Sequence, residues 1–190
     1  MKELLRQYII DQVTSLKEEE IKEILSIFII KEFKKGDYFK KPYKVGKEIG
    51  FLAKGAIRII VFKEEGSEVT ARVREENSFI ADPYTLESND PSPIGIECLE
   101  DLSLLVAKII DFQNLLETNL TLHIAVRKFL TQQMREVGRQ QLLFLTGSAK
   151  ERYEFIIKQH PNLLKKFPLR FIASMIGITP TQLSRVRKKK

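Results

Sequence analysis

The stretch from about Ile27 to Ile110 decides what this chain can be, because it reads as a series of short strands. Its clearest segments are "EIGFLAKG", "AIRIIVFK", "EVTARVR", "IGIEC" and "LSLLVAKI", rich in β-branched and aromatic residues and broken by Gly, Pro and Asn. Between two of them, "FKEEGSEV" is a hairpin-type turn with Gly66 at its tip. Many short strands at close spacing with no helix interleaved predict a small antiparallel sandwich or barrel.

Helical sequence flanks this block on both sides. "KELLRQYIIDQV" and "SLKEEEIKEILSIF" open the chain, the second with a capping box of Ser15 and Glu18. After "DFQNLLET", the segment from Asn119 to Leu145 holds no Pro and one Gly, Gly138. Val126, Leu130, Met134, Val137 and Leu145 recur there at helical spacing, and Ile124, Phe129 and Leu142 widen the stripe. Such a helix extends roughly 40 Å. Its stripe suits packing on the strand block and pairing with a second copy equally well. "TGSAKERYEFIIKQHP" then ends one helix at Gly147 and starts another at Ser148, with Glu151 as box partner. The fold class expected is α+β, with a domain over 1–146 that includes the long helix and a second, all-helical domain over 147–190.

The chain closes on "IGITPTQLSRVRKKK". Thr179 can cap a helix whose first residue is Pro180, a position where the missing N–H costs nothing. Gln182 can complete the box, Ile178 and Leu183 fit a hydrophobic staple, and Gly177 suits the end of the preceding helix. Charge is concentrated here. Residues 150–190 hold 11 Lys and Arg against 2 Asp and Glu, whereas residues 1–149 hold 21 against 23. A polyanion-binding end on a nearly neutral body is the consequence. An apolar content of 43% is ample for a core, no run is long enough to cross a bilayer, and the charged N-terminus is unlike a signal peptide. One cysteine, Cys98, excludes an internal disulfide. A cytoplasmic protein is expected, with no membrane partner.

This order of parts resembles the Crp/Fnr superfamily of bacterial transcription regulators. The strongest section is "RFIASMIGITPTQLSRVRKK", with Ala173, Gly177 and apolar Ile172, Ile176, Ile178, Leu183 and Val186 where two crossing helices bury their contacts. "KKGDYF" and "LAKGAIRIIV" resemble the glycine-bearing strand ends of the family's barrel, through Gly36 and Gly55. The resemblance implies a cyclic-nucleotide-binding-like jelly-roll barrel (a double-stranded β-helix), a long dimerisation helix and a C-terminal helix-turn-helix. A full wing is not expected after the last helix. It also implies a homodimer on double-stranded DNA, paired through Val126, Leu130, Met134 and Val137, with RNA polymerase as a further partner. The family's base-reading positions map to Pro180, Thr181 and Arg185, of which Arg185 suits guanine. Thr179, Gln182 and Ser184 map to backbone-contacting positions, and Arg187, Lys188, Lys189 and Lys190 supply charge against phosphate.

The family's phosphate-binding cassette holds a Gly-Glu pair for the ribose and an Arg for the phosphate. Here the stretch is "FIADPYTLESNDPSPIGIECLED", which puts Ala81-Asp82 at the first position and Ser92-Pro93 at the second. No Arg or Lys occurs from Glu75 to Ala107. Cyclic AMP is therefore not expected to bind in the family's manner, no cofactor is expected, and the effector stays unnamed. An enzyme is not expected either. The only histidines, His123 and His160, lie outside the strand block, so a cupin-type metal site lacks its ligands, and Asp82 with Glu87 has no nucleophile beside it.

Overall fold

The computed structural model describes residues 1–13, 17–84 and 90–188. Two helices, α1 (Lys2–Gln12) and α2 (Glu18–Ser26), come first. Strands β1 (Ile29–Phe33), β2 (Tyr38–Lys40), β3 (Glu48–Lys54), β4 (Ala56–Phe62), β5 (Glu68–Glu75), β6 (Ser78–Ile80), β7 (Gly95–Cys98) and β8 (Leu102–Lys108) follow. Helices α3 (Ile109–Thr118), α4 (Leu120–Thr146), α5 (Ala149–Gln159), α6 (Leu163–Lys166), α7 (Leu169–Met175) and α8 (Pro180–Lys188) complete the described chain. Ser15 lies outside the described residues. At the start of α2, Lys17 stands in the cap position without a side-chain cap bond, and Glu18 pairs with Arg6.

The expected barrel is open. Among the described residues the strands form two four-stranded sheets, ordered β1-β8-β3-β6 and β2-β7-β4-β5. Closure would need hydrogen bonds between sheet edges, and among the described residues none of the four edge strands pairs across. The central pair β3–β8 explains where the core sits, with Gly50 opposite Val106 and Leu52 opposite Leu104. Leu52, Leu102, Leu104 and Val106 pack with Ile57, Ile80, Ile96 and Cys98 in one apolar cluster. The alternate residues Phe51, Ala53, Leu105 and Ala107 enter a second cluster with Leu5 and Ile9 of α1, Ile24 and Phe28, Phe112 and Leu115 of α3, and Leu122 of α4. Strands buried on both faces need unbroken apolar runs, which is why "GFLA" and "LLVA" read as they do. Each large side chain so buried stabilises the fold by about 1.5–3 kcal/mol.

Gly55, between β3 and β4, has φ +105°, and a Cβ there would stand 2.7 Å from Leu102 Cβ. Only glycine fits both the backbone and the space.

The start of α4 is tied to the strand-bearing unit by polar and aromatic contacts. Asn119 accepts a bond from Leu122 N–H at 2.9 Å and donates to Glu20 O and Glu23 Oε2. Edge-on contacts run from Tyr8 to Phe51 and Phe79, and from Phe79 to Phe129 of α4, at 5.2–5.9 Å counting Phe51–Phe79.

Compactness divides the chain inside the long helix. Met1–Val61 with Val73–Leu130 make one unit, and Phe62–Arg72 with Thr131–Lys190 the other. Sequence placed a boundary at 146/147; the structure instead groups the last part of α4 and the β4–β5 turn with the C-terminal helices. That second unit has its own core of Ile156, Leu163, Phe167, Phe171, Ile172, Met175, Ile176 and Leu183. Ser148 and Glu151 form the expected capping box, with Ser148 N–H donating to Glu151 Oε2 at 2.7 Å. The bond holds the Glu151 carboxyl below its ordinary pKa. No helix among the described residues is long and apolar enough to cross a membrane.

Candidate nucleic-acid interface and cassette site

The turn between α7 and α8 is fixed by backbone geometry. Ile178 N–H donates to Ala173 O at 3.0 Å and Gly177 N–H to Ser174 O at 3.1 Å, the two bonds of a Schellman cap. Gly177 takes φ +69°, as such a cap requires. Thr179 N–H then donates to Gln182 Oε1 at 2.8 Å and Gln182 N–H to Thr179 Oγ1 at 3.2 Å, closing the capping box that the sequence announced. Leu183 is fully buried and Val186 half-buried, so α8 is pinned by one side. The other side presents Thr181, Gln182, Ser184, Arg185, Arg187 and Lys188 to solvent, with Thr179 and Pro180 exposed at its start. Ser184 donates its hydroxyl back to Pro180 O at 3.1 Å, which engages it within its own helix. Lys189 and Lys190 lie outside the described residues.

A contact that sequence did not foretell joins the β4–β5 hairpin to α7. Lys63 N–H donates to Ser67 O and Gly66 N–H to Lys63 O, making the tight turn read at Gly66. Further along β5, Thr70 N–H donates to Ser174 Oγ at 2.8 Å, and that hydroxyl donates to Thr70 O at 3.3 Å.

The cassette stretch holds a buried ion pair. Lys40, from β2, places Nζ 2.8 Å from Asp82 Oδ2, and the two side chains are 4% and 1% exposed. The ammonium also donates to Ser92 Oγ at 2.6 Å, Ser92 O at 3.1 Å and Ile94 O at 2.7 Å, while Ser92 donates to Asp82. Asp82 further accepts from Tyr84 N–H. A second pair lies across β4 and β7, where Arg58 Nε meets Glu97 Oε2 at 2.8 Å. Sequence found no cation between Glu75 and Ala107, and Lys40 comes from 42 residues before Asp82, where nothing in "YFKKPY" marks it. Glu87 lies outside the described residues.

The strand block answers to a known family. The model of the cyclic nucleotide-binding domain matches residues 30–119. Solved structures agree in fold. FixK2 from Bradyrhizobium japonicum is 15% identical over 86% of this chain and 84% of that one, with a TM-score of 0.73. The c-di-GMP-responsive regulator CLP of Xanthomonas campestris is 13% identical over 91% of each chain, with a TM-score of 0.71. The catabolite activator protein of Thermus thermophilus is 18% identical over 95% of this chain and 85% of that one, at 0.60. Residues 30–119 are thus similar to the cyclic nucleotide-binding domain, and the chain shares its fold with these three proteins. No curated protein sequence matches it.

The strand block does not fit a cyclic nucleotide in the manner that the resemblance implies. Asp82, aligned with the carboxylate that would hold a ribose, is spent on Lys40. Ser92, aligned with the phosphate-binding Arg, gives its hydroxyl to Asp82. A nucleotide held in that manner would first have to break the buried Lys40–Asp82 pair, which is costly. Cys98 is a core residue: burial, with the Asp37 charge adding to it, pushes its thiol up to about 11, far from the thiolate a nucleophile needs. Among the described residues no group of three His, Cys, Asp or Glu stands together to hold a metal.

Proposed function

We propose that the chain is a homodimeric, sequence-specific DNA-binding transcription regulator, with α7 and α8 as its helix-turn-helix. The carrying observation is α8 itself, capped at Thr179, anchored by Leu183, and presenting Thr181 and Arg185 on one exposed face. In such a motif the second helix enters the major groove and its N-terminal residues meet base edges. Residues 147–190 serve as the DNA-binding domain and residues 1–146, long helix included, as the sensor, in a cytoplasmic protein. RNA polymerase is its further partner at the promoter. The dimer is supported by α4, where Leu130 and Val137 are exposed and Met134 is 75% and Leu145 76% exposed. Val126 is half-buried against the strand-bearing core, so its share in pairing is small and the stripe proper begins at Leu130.

Two measurements test this reading. Selection from a random DNA pool should yield inverted half-sites about 10 base pairs apart, centre to centre. Arg185→Ala should then cost about 1–3 kcal/mol and relax one base pair per half-site, whereas Lys188→Ala should weaken all sequences alike and lower the salt slope by about one unit per contact. A wild-type protein with no sequence preference, with or without cell extract to supply an effector, overturns the proposal in favour of a module that binds a small molecule or protein. Separately, cyclic AMP and cyclic GMP at millimolar concentration should leave the melting temperature unchanged, because stabilisation requires ligand well above its dissociation constant. A saturable rise of several degrees would show that the Lys40–Asp82 pair opens to admit them.

A further inference from the structure

Three residues from separate elements of the C-terminal unit meet behind the turn that launches α8. Phe144 stands in the last turns of α4, Arg152 near the start of α5, and Gly177 in the turn. The Arg152 guanidinium carbon lies 5.0 Å from the centre of the Phe144 ring. A Cβ built on Gly177 would stand 3.0 Å from Phe144 Cε1 and 3.6 Å from Arg152 Nη1. The Arg152 Nε is buried and donates no hydrogen bond among the described residues. A guanidinium held this way loses solvation at Nε, and among the described residues no hydrogen bond there offsets the loss. An aliphatic side chain would fill the same space without that penalty, so packing volume alone does not account for an arginine.

We propose that Arg152 is a positioning residue for DNA recognition, a flat plate stacked on Phe144 that braces the Gly177 turn and so sets the direction of α8 from the end of α4. The proposal rests on the DNA-binding reading of α8. The chemistry is specific to arginine and an aromatic ring. Arginine is planar, weakly hydrated and suited to stacking, whereas lysine offers a compact, strongly hydrated charge. Gly177 takes part because its missing side chain lets the ring and the guanidinium come up against the backbone. Nε faces inward, so Arg152 acts through the turn it supports.

The test compares wild type with Arg152→Met, Arg152→Lys, Phe144→Leu and Phe144→Tyr in the full chain. Affinity for selected and scrambled DNA is measured across salt, and the Gly177 amide is followed by NMR. Arg152→Met and Phe144→Leu should each weaken selected DNA about 5- to 30-fold, the equivalent of a contact of about 1–2 kcal/mol. The salt slope should stay unchanged. Phe144→Tyr should keep wild-type affinity, and Arg152→Lys should recover only part of the loss. Loss of the ring in Phe144→Leu should shift the Gly177 amide resonance, with Phe144→Tyr restoring it. A salt slope lowered by about one unit in Arg152→Met would make Arg152 a phosphate contact and overturn the proposal. A Gly177 resonance unmoved by both Arg152→Met and Phe144→Leu overturns it as well, whether or not the protein binds DNA. Failure of wild type to prefer any sequence, with the resonance shifts as expected, sinks the DNA-binding reading and leaves the brace standing without its role in recognition.

Discussion

Asp82→Ala should lower the stability of the sheet-bearing unit by about 3–5 kcal/mol, the usual cost of leaving a buried charge without its partner. In this size range that corresponds to a fall in melting temperature of roughly 10 °C. The reason is the depth of the pair, both side chains being nearly inaccessible. Without the carboxylate, the Lys40 ammonium keeps Ser92 Oγ, Ser92 O and Ile94 O, three neutral acceptors that do not balance its charge in a dry interior. Asp82→Asn should cost less, because the amide oxygen still accepts. The double variant Lys40→Met with Asp82→Leu should recover most of the loss, since an apolar pair of similar volume carries no desolvation penalty. Urea and thermal melts decide the matter, with a constant m-value required for the comparison. A loss below about 1 kcal/mol for Asp82→Ala would place the pair among weak surface bridges and remove the reason the cassette excludes a phosphate.

Leu130→Glu combined with Met134→Glu should convert the proposed dimer into monomers and weaken binding to a two-half-site DNA by about 10²- to 10⁴-fold. Two linked binding helices gain that much over one through effective concentration, with no new contact required. Binding to a fragment carrying a single half-site should stay within about twofold of wild type, because α8 is untouched. The substitutions sit on exposed positions, so they should leave the melt of each unit nearly unchanged. Sedimentation reads the oligomer and retardation on one- and two-site DNA reads the coupling. A dimer that survives both charges has its interface elsewhere than the α4 stripe.

Much of this was legible in the sequence because its signals were local. The strands β3, β4, β5, β7 and β8 fall where β-branched runs lie between turn residues, and α4 begins at Leu120 and ends at Thr146. The turn at Gly177 and the box at Thr179 were readable for the same reason, since each is decided within six residues. What sequence could not supply is set by partners far along the chain. Whether eight strands close or stay as two sheets depends on edges that meet only in the fold. Periodicity found the α4 stripe but not that Val126 faces the core while Met134 faces solvent, because one pattern serves both. Lys40 looked like any surface lysine until β2 brought it to Asp82. Nothing in "TGSAKERYEFIIKQHP" marks Arg152, and only the Phe144 ring beside it gives it another meaning.

The bond between Thr70 and Ser174 has one more consequence. Strand β5 lies at the margin of its sheet, where an antiparallel strand offers N–H and C=O together to any passing neighbour. At Thr70 a single hydroxyl takes up both groups. Ser174 thus does in one place what a ninth strand would do along a whole edge, and it blocks the point at which a foreign chain could begin to zip on. The sheet margin gains protection from strand-on-strand association through one side-chain oxygen.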